Sequence, residues 1–312
     1  MSDNFPVLGN ISAEKFLAEY WQKKPLLIRN ALPNFESPLS PDELAGLSLE
    51  DEIESRIVIE EGETGPWQAL HGPFNEETFS QLPEKKWSLL VQAVDLWLPE
   101  VKALLDHFTF LPPWRLDDVM VSYAPEGGGV GPHYDYYDVF LLQGLGQRRW
   151  QIGQACDQDS PQLKGTSLRI LRDLDVSEDW VLNPGDMLYL PPQIAHSGVA
   201  LNDCMTYSIG FRAPSATDML DDLTTELLSQ GHSVYYSDPA LTLDMATENI
   251  DPAFIQQVKS LLSSVLEDEA LLTDWFARYM TAPKYPTLVD ESDEIRIAKV
   301  DGLQYENGEP KA

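Results

Sequence analysis

The alternation of apolar and polar residues gives the chain three stretches of different character. The first hundred residues mix short helical and strand patterns, and Ser40–Glu43 has the serine, proline and glutamate of a capped helix start. From about Asp117 to Phe211, β-rich runs follow one another between glycine and proline turns, which is typical of a sandwich or barrel. After Ala213 the apolar residues fall near helical spacing. The pattern therefore predicts an α+β protein with a β-barrel core, α/β elements before it and helices after it.

These runs also predict individual elements. The strands expected in the middle stretch are Val119–Tyr123, Tyr136–Gln143, Arg148–Ile152, Trp180–Leu182, Met187–Leu190 and Met205–Phe211. The helices expected on either side of it are Glu100–His107, Asp218–Ser229, Phe254–Leu266 and Ala270–Met280. A short strand at 295–299 and a turn at Glu306–Gly308 follow. The expected domains are residues 1–213 with a motif core at 117–213, a helical region at 214–282 and a short C-terminal region at 283–312.

Two imidazoles and one carboxylate are spaced for a metal site within the β-rich stretch. His133 and Asp135 follow the glycine run Gly127–Gly131, and on a strand two such alternate residues point to the same face. His196 follows the turn Asn183–Asp186 and a short strand, and it opens the next strand. Two histidines and a carboxylate form the facial triad of non-haem Fe(II) oxygenases, which leaves positions open for a co-substrate and O₂. These three residues are the predicted metal ligands and catalytic centre, whereas His71, His107 and His232 are interpreted as surface or capping residues.

An oxygenase of this kind needs a source of two electrons, and 2-oxoglutarate would bring a distal carboxylate that needs a cation. Arg148 shares a strand face with Trp150, while Arg149 takes the opposite face. A planar guanidinium binds a carboxylate through two hydrogen bonds, so Arg148 is the predicted partner. The hydroxyls of Ser122 and Thr206 lie on neighbouring predicted strands and are further candidates for co-substrate binding. The alternative is that both arginines balance nearby acidic residues.

Charge limits the partners that the protein can have. The 312 residues include 51 acidic and 21 basic side chains, which gives a net charge of −30. A cationic surface is needed to bind phosphate backbones, so direct nucleic-acid binding is not expected. The acidic excess indicates either a basic partner or only a well-solvated surface.

The N-terminus has no signal-peptide pattern and no apolar run approaches the roughly 20 residues of a membrane helix, so a cytoplasmic protein is expected. Cys156 and Cys204 are too few for a disulfide framework or a structural zinc site.

In its motifs the sequence resembles the JmjC-type 2-oxoglutarate oxygenases of the ribosomal oxygenase group, within the cupin superfamily. The resemblance begins at Tyr20–Asn30, is densest over Gly127–Trp150 and Pro184–His196, and continues through Tyr207–Pro214 and Tyr235–Pro239. It implies a double-stranded β-helix (cupin or jelly-roll) catalytic domain and a helical dimerisation domain, hence a homodimer. It also implies a C-terminal winged helix, of which residues 283–312 would be the start of a shortened or truncated form.

The resemblance also implies roles for particular residues. Fe(II) would be bound by the predicted triad, and Arg148 would bind 2-oxoglutarate. Ser122 matches a co-substrate position of the family, and Thr206 stands where related proteins have an asparagine. Within the group, the motifs are most similar to bacterial enzymes that hydroxylate an arginine of a large-subunit ribosomal protein. Asp118 would then pair with the substrate guanidinium and Tyr137 would pack on it.

Other functions are compatible with the same motifs. Pocket shape decides which side chain is oxidised, so hydroxylation of a histidine, demethylation of a lysine or a different target protein stays open. A cupin that uses another metal without 2-oxoglutarate would have no need for Arg148. A non-catalytic cupin scaffold would have no need for the triad or for Arg148.

Overall fold

The computed structural model describes residues 5–62, 65–229, 231, 234–245, 247–288 and 296–311. His232 and the first residue of the strand expected at 295–299 lie outside these residues. The chain forms two compact units, residues 1–213 and 214–312. In the described part of the chain, no helix is both long enough and apolar enough to cross a membrane. The three-domain division and the role expected for each part remain predictions.

The first unit combines short helices with antiparallel strands. Its α-helices are α1 (Ala13–Glu19), α2 (Pro41–Leu47), α3 (Glu76–Ser80) and α4 (Pro99–Lys102), with 3-10 turns at Pro6–Leu8, Val94–Leu96, Ala103–Phe108 and Pro113–Arg115. Its strands are β1 (Leu26–Ile28), β2 (Ser55–Gly62), β3 (Gly65–His71), β4 (Trp87–Val91), β5 (Leu116–Ala124), β6 (Val139–Leu145), β7 (Arg148–Ala155), β8 (Glu178–Leu182), β9 (Met187–Leu190), β10 (Ile194–Ala200) and β11 (Cys204–Phe211).

Two sheets of unequal size form the barrel. The larger one has the order β1-β9-β6-β11-β5-β4-β2-β3, and the smaller one has the order β10-β7-β8. Alternate residues of β6 and β9 pack against residues of β7 and β8 in an apolar cluster: Val139, Leu141, Trp150, Ile152, Leu182, Leu188 and Leu190. The faces that carry this cluster therefore form the interior of the barrel. Arg148 lies on the same face of β7 as Trp150 and so belongs to this interior.

The outer face of the large sheet carries the main core. Phe140 on β6 and Tyr189 on β9 meet Phe16 of α1 with ring centroids 5.0–5.6 Å apart, and Phe108 lies 4.9 Å from Phe140. Burying one such side chain is worth about 1.5–3 kcal/mol relative to exposing it. The Ser40–Glu43 capping box expected from the sequence is present and starts α2, whose Leu44 joins this core. The N-terminal helices thus brace the sheet that carries the site.

A buried polar network fixes the start of β6. Asp138 is fully buried and accepts hydrogen bonds from Tyr189 Oη at 2.6 Å and from Gln22 Nε2 at 3.1 Å. Arg115 Nη2 lies 3.4 Å from the same carboxylate. Burial raises the pKa of Asp138, while these donors oppose that rise. The network anchors the segment that follows Asp135 and so limits where Asp135 can lie.

Most of the expected elements are confirmed, with shifted ends, but two are wrong. The segment containing His133 and Asp135 is not a strand: His133 makes a single bridge with His196, and β6 begins at Val139 rather than at Tyr136. Pro132 has no N–H for a ladder, and its carbonyl instead accepts from Leu171 N at 2.8 Å. The helix expected over Glu100–His107 ends as α4 at Lys102 and continues as a 3-10 turn.

The second unit consists of helices followed by a small sheet. Its helices are α5 (Ala216–Ser229), α6 (Pro252–Leu266) and α7 (Glu269–Thr281), with a 3-10 turn at Leu243–Met245, and its strands are β12 (Ile297–Val300), β13 (Leu303–Glu306) and β14 (Glu309–Lys311). Trp275 Nε1 donates to Asp222 at 2.7 Å and joins α7 to α5. Tyr305 Oη donates to Asp274 at 2.7 Å and joins β13 to α7. The turn expected at Glu306–Gly308 is confirmed between β13 and β14, with Asn307 and Gly308 at positive φ.

Candidate metal and co-substrate site

His133, Asp135 and His196 converge at one end of the barrel interior. Their ligand atoms all lie within 4.8 Å of one another. Asp135 Oδ2 is 3.9 Å from His133 Nε2 and 3.6 Å from His196 Nε2. These separations are too long for hydrogen bonds, and they leave space among three donor atoms. Two imidazole nitrogens and one carboxylate on one side of that space fit a divalent iron ion with open positions.

Backbone carbonyls orient both imidazoles. His133 Nδ1 lies 2.9 Å from the carbonyl oxygen of Gly131, and His196 Nδ1 lies 2.8 Å from that of Ile194. A carbonyl can only accept, so each Nδ1 carries the hydrogen and each Nε2 keeps its lone pair for a metal. Burial, together with a smaller effect of the neighbouring His133, lowers the pKa of His196 to about 4. His196 is therefore neutral near pH 7, as a ligand must be.

Arg148 is a buried cation that fits an anionic ligand. Only 5% of its surface is exposed, and its Nε and Nη2 have no hydrogen-bond partner among the described residues. Its guanidinium lies over the Trp150 ring, 5.7 Å from the centroid. Arg149 faces the other way, is half exposed and donates to Asp179 at 2.7 Å, as the alternation predicts. A buried guanidinium without an anion is costly, so a carboxylate at Arg148 fits this structure.

Ser122 and Thr206 lie side by side on the interior face of the large sheet. They face each other across β5 and β11, and Thr206 faces Gln143 of β6. Both are buried, but each hydroxyl donates within the sheet: Ser122 Oγ to the carbonyl of Thr206 at 3.5 Å, and Thr206 Oγ1 to Gln143 Oε1 at 3.3 Å. To donate to a co-substrate carboxylate, either hydroxyl must give up that bond. Their roles in co-substrate binding remain predictions.

Asp118 and Tyr137 lie beside the triad. Asp118 is buried on the same face of β5 as Ser122. Although 42% of Tyr137 is exposed, loss of water around its hydroxyl raises its pKa, and the charges of Asp135 and Asp118 raise it further. The hydroxyl therefore lies close to both carboxylates. The structure thus brings the two residues expected to bind substrate close to each other and to Asp135.

Two further features of the site were not found from the sequence. Arg56 on β2 points to the barrel interior because Ile57 packs in the outer core, and its Nε is buried without a hydrogen-bond partner in the described chain. Its charge opposes the rise in the Tyr137 pKa. Trp67 and Ile170 pack around Gly131. A charged residue within the run Arg56–Ile59 was the available signal for the first feature, and no local pattern signalled the second.

Comparison with known proteins identifies the family. The JmjC domain family matches residues 103–219. The protein named "Probable ribosomal oxygenase" from Haemophilus influenzae is 38% identical over 316 residues, which cover 96% of this chain and 78% of that protein. The Escherichia coli ribosomal protein uL16 3-hydroxylase is 38% identical over 271 residues, which cover 86% of this chain and 71% of that protein. The chain belongs to the JmjC ribosomal oxygenases.

The solved structure of a family member extends this likeness to the fold. The Escherichia coli ribosomal oxygenase YcfD in complex with cobalt and 2-oxoglutarate has a TM-score of 0.82 and 33% identity, covering 97% of this chain and 86% of that one. The expected double-stranded β-helix and the expected family are thus confirmed. A ribosomal oxygenase is an enzyme, so the non-catalytic cupin scaffold is set aside.

Proposed function

We propose that this ribosomal oxygenase uses Fe(II), 2-oxoglutarate and O₂ to hydroxylate an arginine side chain of ribosomal protein uL16. The observation that carries the proposal is the convergence of His133, Asp135 and His196 in the same barrel interior as the buried Arg148, whose Nε and Nη2 have no hydrogen-bond partner within the described parts of the chain. The Escherichia coli relative is a ribosomal protein uL16 3-hydroxylase, which supports the choice of target. A third alternative, a cupin that works without 2-oxoglutarate, leaves the burial of Arg148 unexplained.

Each part of the site has a task in this reaction. His133, Asp135 and His196 would hold Fe(II), and Arg148 would bind the distal carboxylate of 2-oxoglutarate through its planar guanidinium. When bound, iron and 2-oxoglutarate supply an oxidant that inserts one oxygen atom of O₂ into a C–H bond, with succinate and CO₂ as the other products. The carbonyls of Gly131 and Ile194 hold the two imidazoles in place. The apolar interior around Trp150 keeps water away from the reacting centre.

Arginine is the target that Asp118 and Tyr137 favour. Asp118 places a carboxylate on an interior strand face, where a partner with a permanent charge and paired donors is favoured over a neutral imidazole. The Tyr137 ring, which is partly exposed beside it, offers a face for cation–π packing. Hydroxylation of a histidine or demethylation of a lysine would use the same metal site, but neither side chain offers Asp118 the paired donors of a guanidinium.

The assembly and the partners follow from the rest of the chain. Helix α6 exposes Ile255, Val258, Leu262 and Leu266, which repeat at the spacing of one helix face. A second copy covering this face would give a homodimer, as the resemblance implied. A net charge of −30 favours the basic ribosomal protein itself over nucleic acid as the direct partner. We place the reaction in the cytoplasm, where such a target is available before ribosome assembly is complete.

The decisive experiment tests cofactor, reaction and target together. The purified protein would be incubated with Fe(II), 2-oxoglutarate and ribosomal proteins from a host that lacks uL16 hydroxylase. Mass spectrometry with fragmentation would then search for one added oxygen atom. Oxygen added to an arginine of uL16, and lost in His133→Ala, is the expected result. Succinate formation without that addition would retain the oxygenase but contradict the target, and addition to a histidine would contradict the arginine.

A further inference from the structure

His133 is the more exposed of the two imidazoles in the triad, and one backbone carbonyl contacts its Nδ1. Its side chain is 25% exposed, against 4% for His196. His196 is buried and its Nδ1 contacts the carbonyl of Ile194, whereas the more exposed His133 is held by its ring contact with His196 and through Nδ1 by the carbonyl of Gly131 at 2.9 Å. Any group that fixes Gly131 therefore fixes the direction in which His133 presents Nε2.

Two side chains from distant parts of the chain enclose Gly131. Its φ is +80°, and a Cβ added there would lie 2.8 Å from Ile170 Cδ1 and 3.2 Å from Trp67 Cε2. Ile170 comes from the connection between β7 and β8, where Leu171 N also donates to the carbonyl of Pro132 at 2.8 Å. The peptide before His133 is thus held from two directions.

Trp67 contacts Gly131 from an unfavourable backbone conformation. Its φ is +56°, in the left-handed region that a bulky side chain rarely occupies. Ser167 supports this conformation: its Oγ donates to the carbonyl of Trp67 at 3.0 Å and accepts from Ala69 N at 3.0 Å. A strained residue persists when its surroundings determine it and commonly marks a functional position. Here one serine hydroxyl joins the carbonyl of Trp67 to the N–H of Ala69 and so holds the backbone on the C-terminal side of the strained residue.

We propose that Trp67 and Ser167 are positioning residues for the metal centre. Ser167 holds Trp67 in its left-handed conformation, and Trp67 holds the carbonyl of Gly131 against Nδ1 of His133, so Nε2 points to the metal before the metal arrives. The inference rests on the proposed function in that His133 is a metal ligand. Loss of outer partners of this kind typically lowers metal affinity by about 10- to 100-fold.

Titration of the metal-free enzyme with Co²⁺, followed by its visible absorption, tests the proposal without any turnover. Ser167→Ala removes one oxygen atom, and Trp67→Gly removes the indole while suiting the positive φ. Thr166→Ala is the matched control, because Thr166 Oγ1 donates to the carbonyl of Leu168 at 2.6 Å within its own loop. We expect Ser167→Ala and Trp67→Gly to weaken Co²⁺ binding about tenfold or more, and Thr166→Ala to change it less than about twofold.

A second measurement examines His133 directly. In the metal-free protein, ¹⁵N NMR of the imidazole should show the Nδ1–H tautomer for the wild type and Thr166→Ala, and a mixture of tautomers for Ser167→Ala. Unchanged Co²⁺ affinity and an unchanged tautomer in a folded Ser167→Ala would overturn the proposal, whether or not Trp67→Gly folds. Failure of the metal site itself would look different, because wild type and His133→Ala would then bind Co²⁺ equally.

Discussion

Arg148 and Arg149 are neighbours in the sequence and lie in opposite environments. Arg148 is buried, and two of its nitrogens find no hydrogen-bond partner in the part of the chain that the structure describes, while Arg149 is exposed and paired with Asp179. Loss of a two-bond guanidinium–carboxylate contact costs roughly 1.5–3 kcal/mol, whereas loss of an exposed ion pair costs about 0–1 kcal/mol. We therefore expect Arg148→Gln to raise the KM for 2-oxoglutarate on the order of 10- to 100-fold and Arg149→Gln to change it less than about twofold.

The measurement is the dependence of succinate formation on 2-oxoglutarate concentration, and the two variants control for each other. Both lose one positive charge from the same strand, so a general effect of net charge would shift both KM values alike. Equal shifts, or a larger shift for Arg149→Gln, would show that Arg148 does not bind the co-substrate. Circular dichroism would confirm that each variant keeps its sheet content.

Asp118 makes a prediction about the charge of the substrate. A citrulline in place of the target arginine keeps the shape of the side chain and removes its charge. The carboxylate of Asp118 should make the wild type favour the arginine peptide in kcat/KM on the order of 10- to 100-fold, since hydrogen bonds to charged groups are worth about 1.5–3 kcal/mol. In Asp118→Asn this preference should fall to within about threefold.

The matched control for that prediction is Asp117→Asn on the neighbouring position of β5. Asp117 carries the same charge but lies 3.5 Å from Arg212 Nε. The control should keep most of the preference for the arginine peptide. An undiminished preference in Asp118→Asn would assign recognition of the charge to another residue.

At the residue scale, the sequence predicts what is local and misses what depends on long-range packing. His133, Asp135, His196 and Arg148 stand in motifs whose spacing and turns are visible in the printed chain. Trp67 lies more than sixty residues before the carbonyl-bearing Gly131 that it contacts, so no motif joins them. Hydroxyls on strands are common, and for that reason Ser122 and Thr206 remain open even with their positions known.

At the scale of elements, Gly128 allows the loop before His133 to lie directly against strand β4. A Cβ on Gly128 would lie 2.1 Å from the carbonyl oxygen of Trp87 on β4. Gly128→Ala must therefore displace the loop, and overpacking of this kind costs about 1–3 kcal/mol. Urea unfolding should show a loss of that size in the free energy of unfolding.

Gly46 provides the matched control, since it lies in α2 and no described atom is within 4 Å of its added Cβ. Gly46→Ala should raise the free energy of unfolding by about 0.5–1 kcal/mol, because alanine is the better helix former. The changes in the free energy of unfolding should thus have opposite signs, which distinguishes Gly128, where a Cβ would collide, from Gly46, where it would not. A neutral Gly128→Ala would mean that the loop can move away from β4 without cost.

Helix α6 makes a prediction about assembly. Leu262 lies in the exposed apolar row with Val258 and Leu266. A charge placed in that row would be buried without a partner if two copies meet there. Leu262→Asp should shift the protein from dimer to monomer in light scattering, while Ser260→Asp, on the polar side of the same helix, should leave it dimeric. A wild-type monomer, or a dimer in both variants, would contradict this interface.

The elements show why strand positions are easier to predict than the site that they carry. Alternation in β5, β7 and β11 is clear, and the interior and exterior residues follow it. The segment from Pro132 to Asp138 has a similar alternation but is not a strand, because its backbone bonds to three separate partners: Pro132 to Leu171, His133 to His196 and Asp135 to Gln193. Leu171 and Gln193 lie in loops whose paths no local pattern determines, and His196 lies on β10 of the other sheet.

At the scale of the whole molecule, the acidic excess runs through both units. Residues 1–212 carry 15 basic and 32 acidic side chains, and residues 213–312 carry 6 and 19. A field of this sign attracts a basic ribosomal protein and repels 2-oxoglutarate. The two substrates of one enzyme should therefore respond to salt in opposite directions, since mobile ions screen attraction and repulsion alike.

Steady-state kinetics at increasing NaCl checks this expectation. Between roughly 50 and 500 mM salt the Debye length falls from about 14 to about 4 Å, so steering of the basic substrate should fade and its kcat/KM should drop about tenfold. Over the same range, kcat/KM for 2-oxoglutarate should rise or stay level. A peptide with the same target arginine but neutral flanking residues separates long-range steering from the local contact with Asp118. It loses the steering and keeps the contact, so its kcat/KM should depend only weakly on salt. If kcat/KM fell equally steeply for the ribosomal protein and for 2-oxoglutarate, salt would be acting on the enzyme itself rather than screening its electrostatic field.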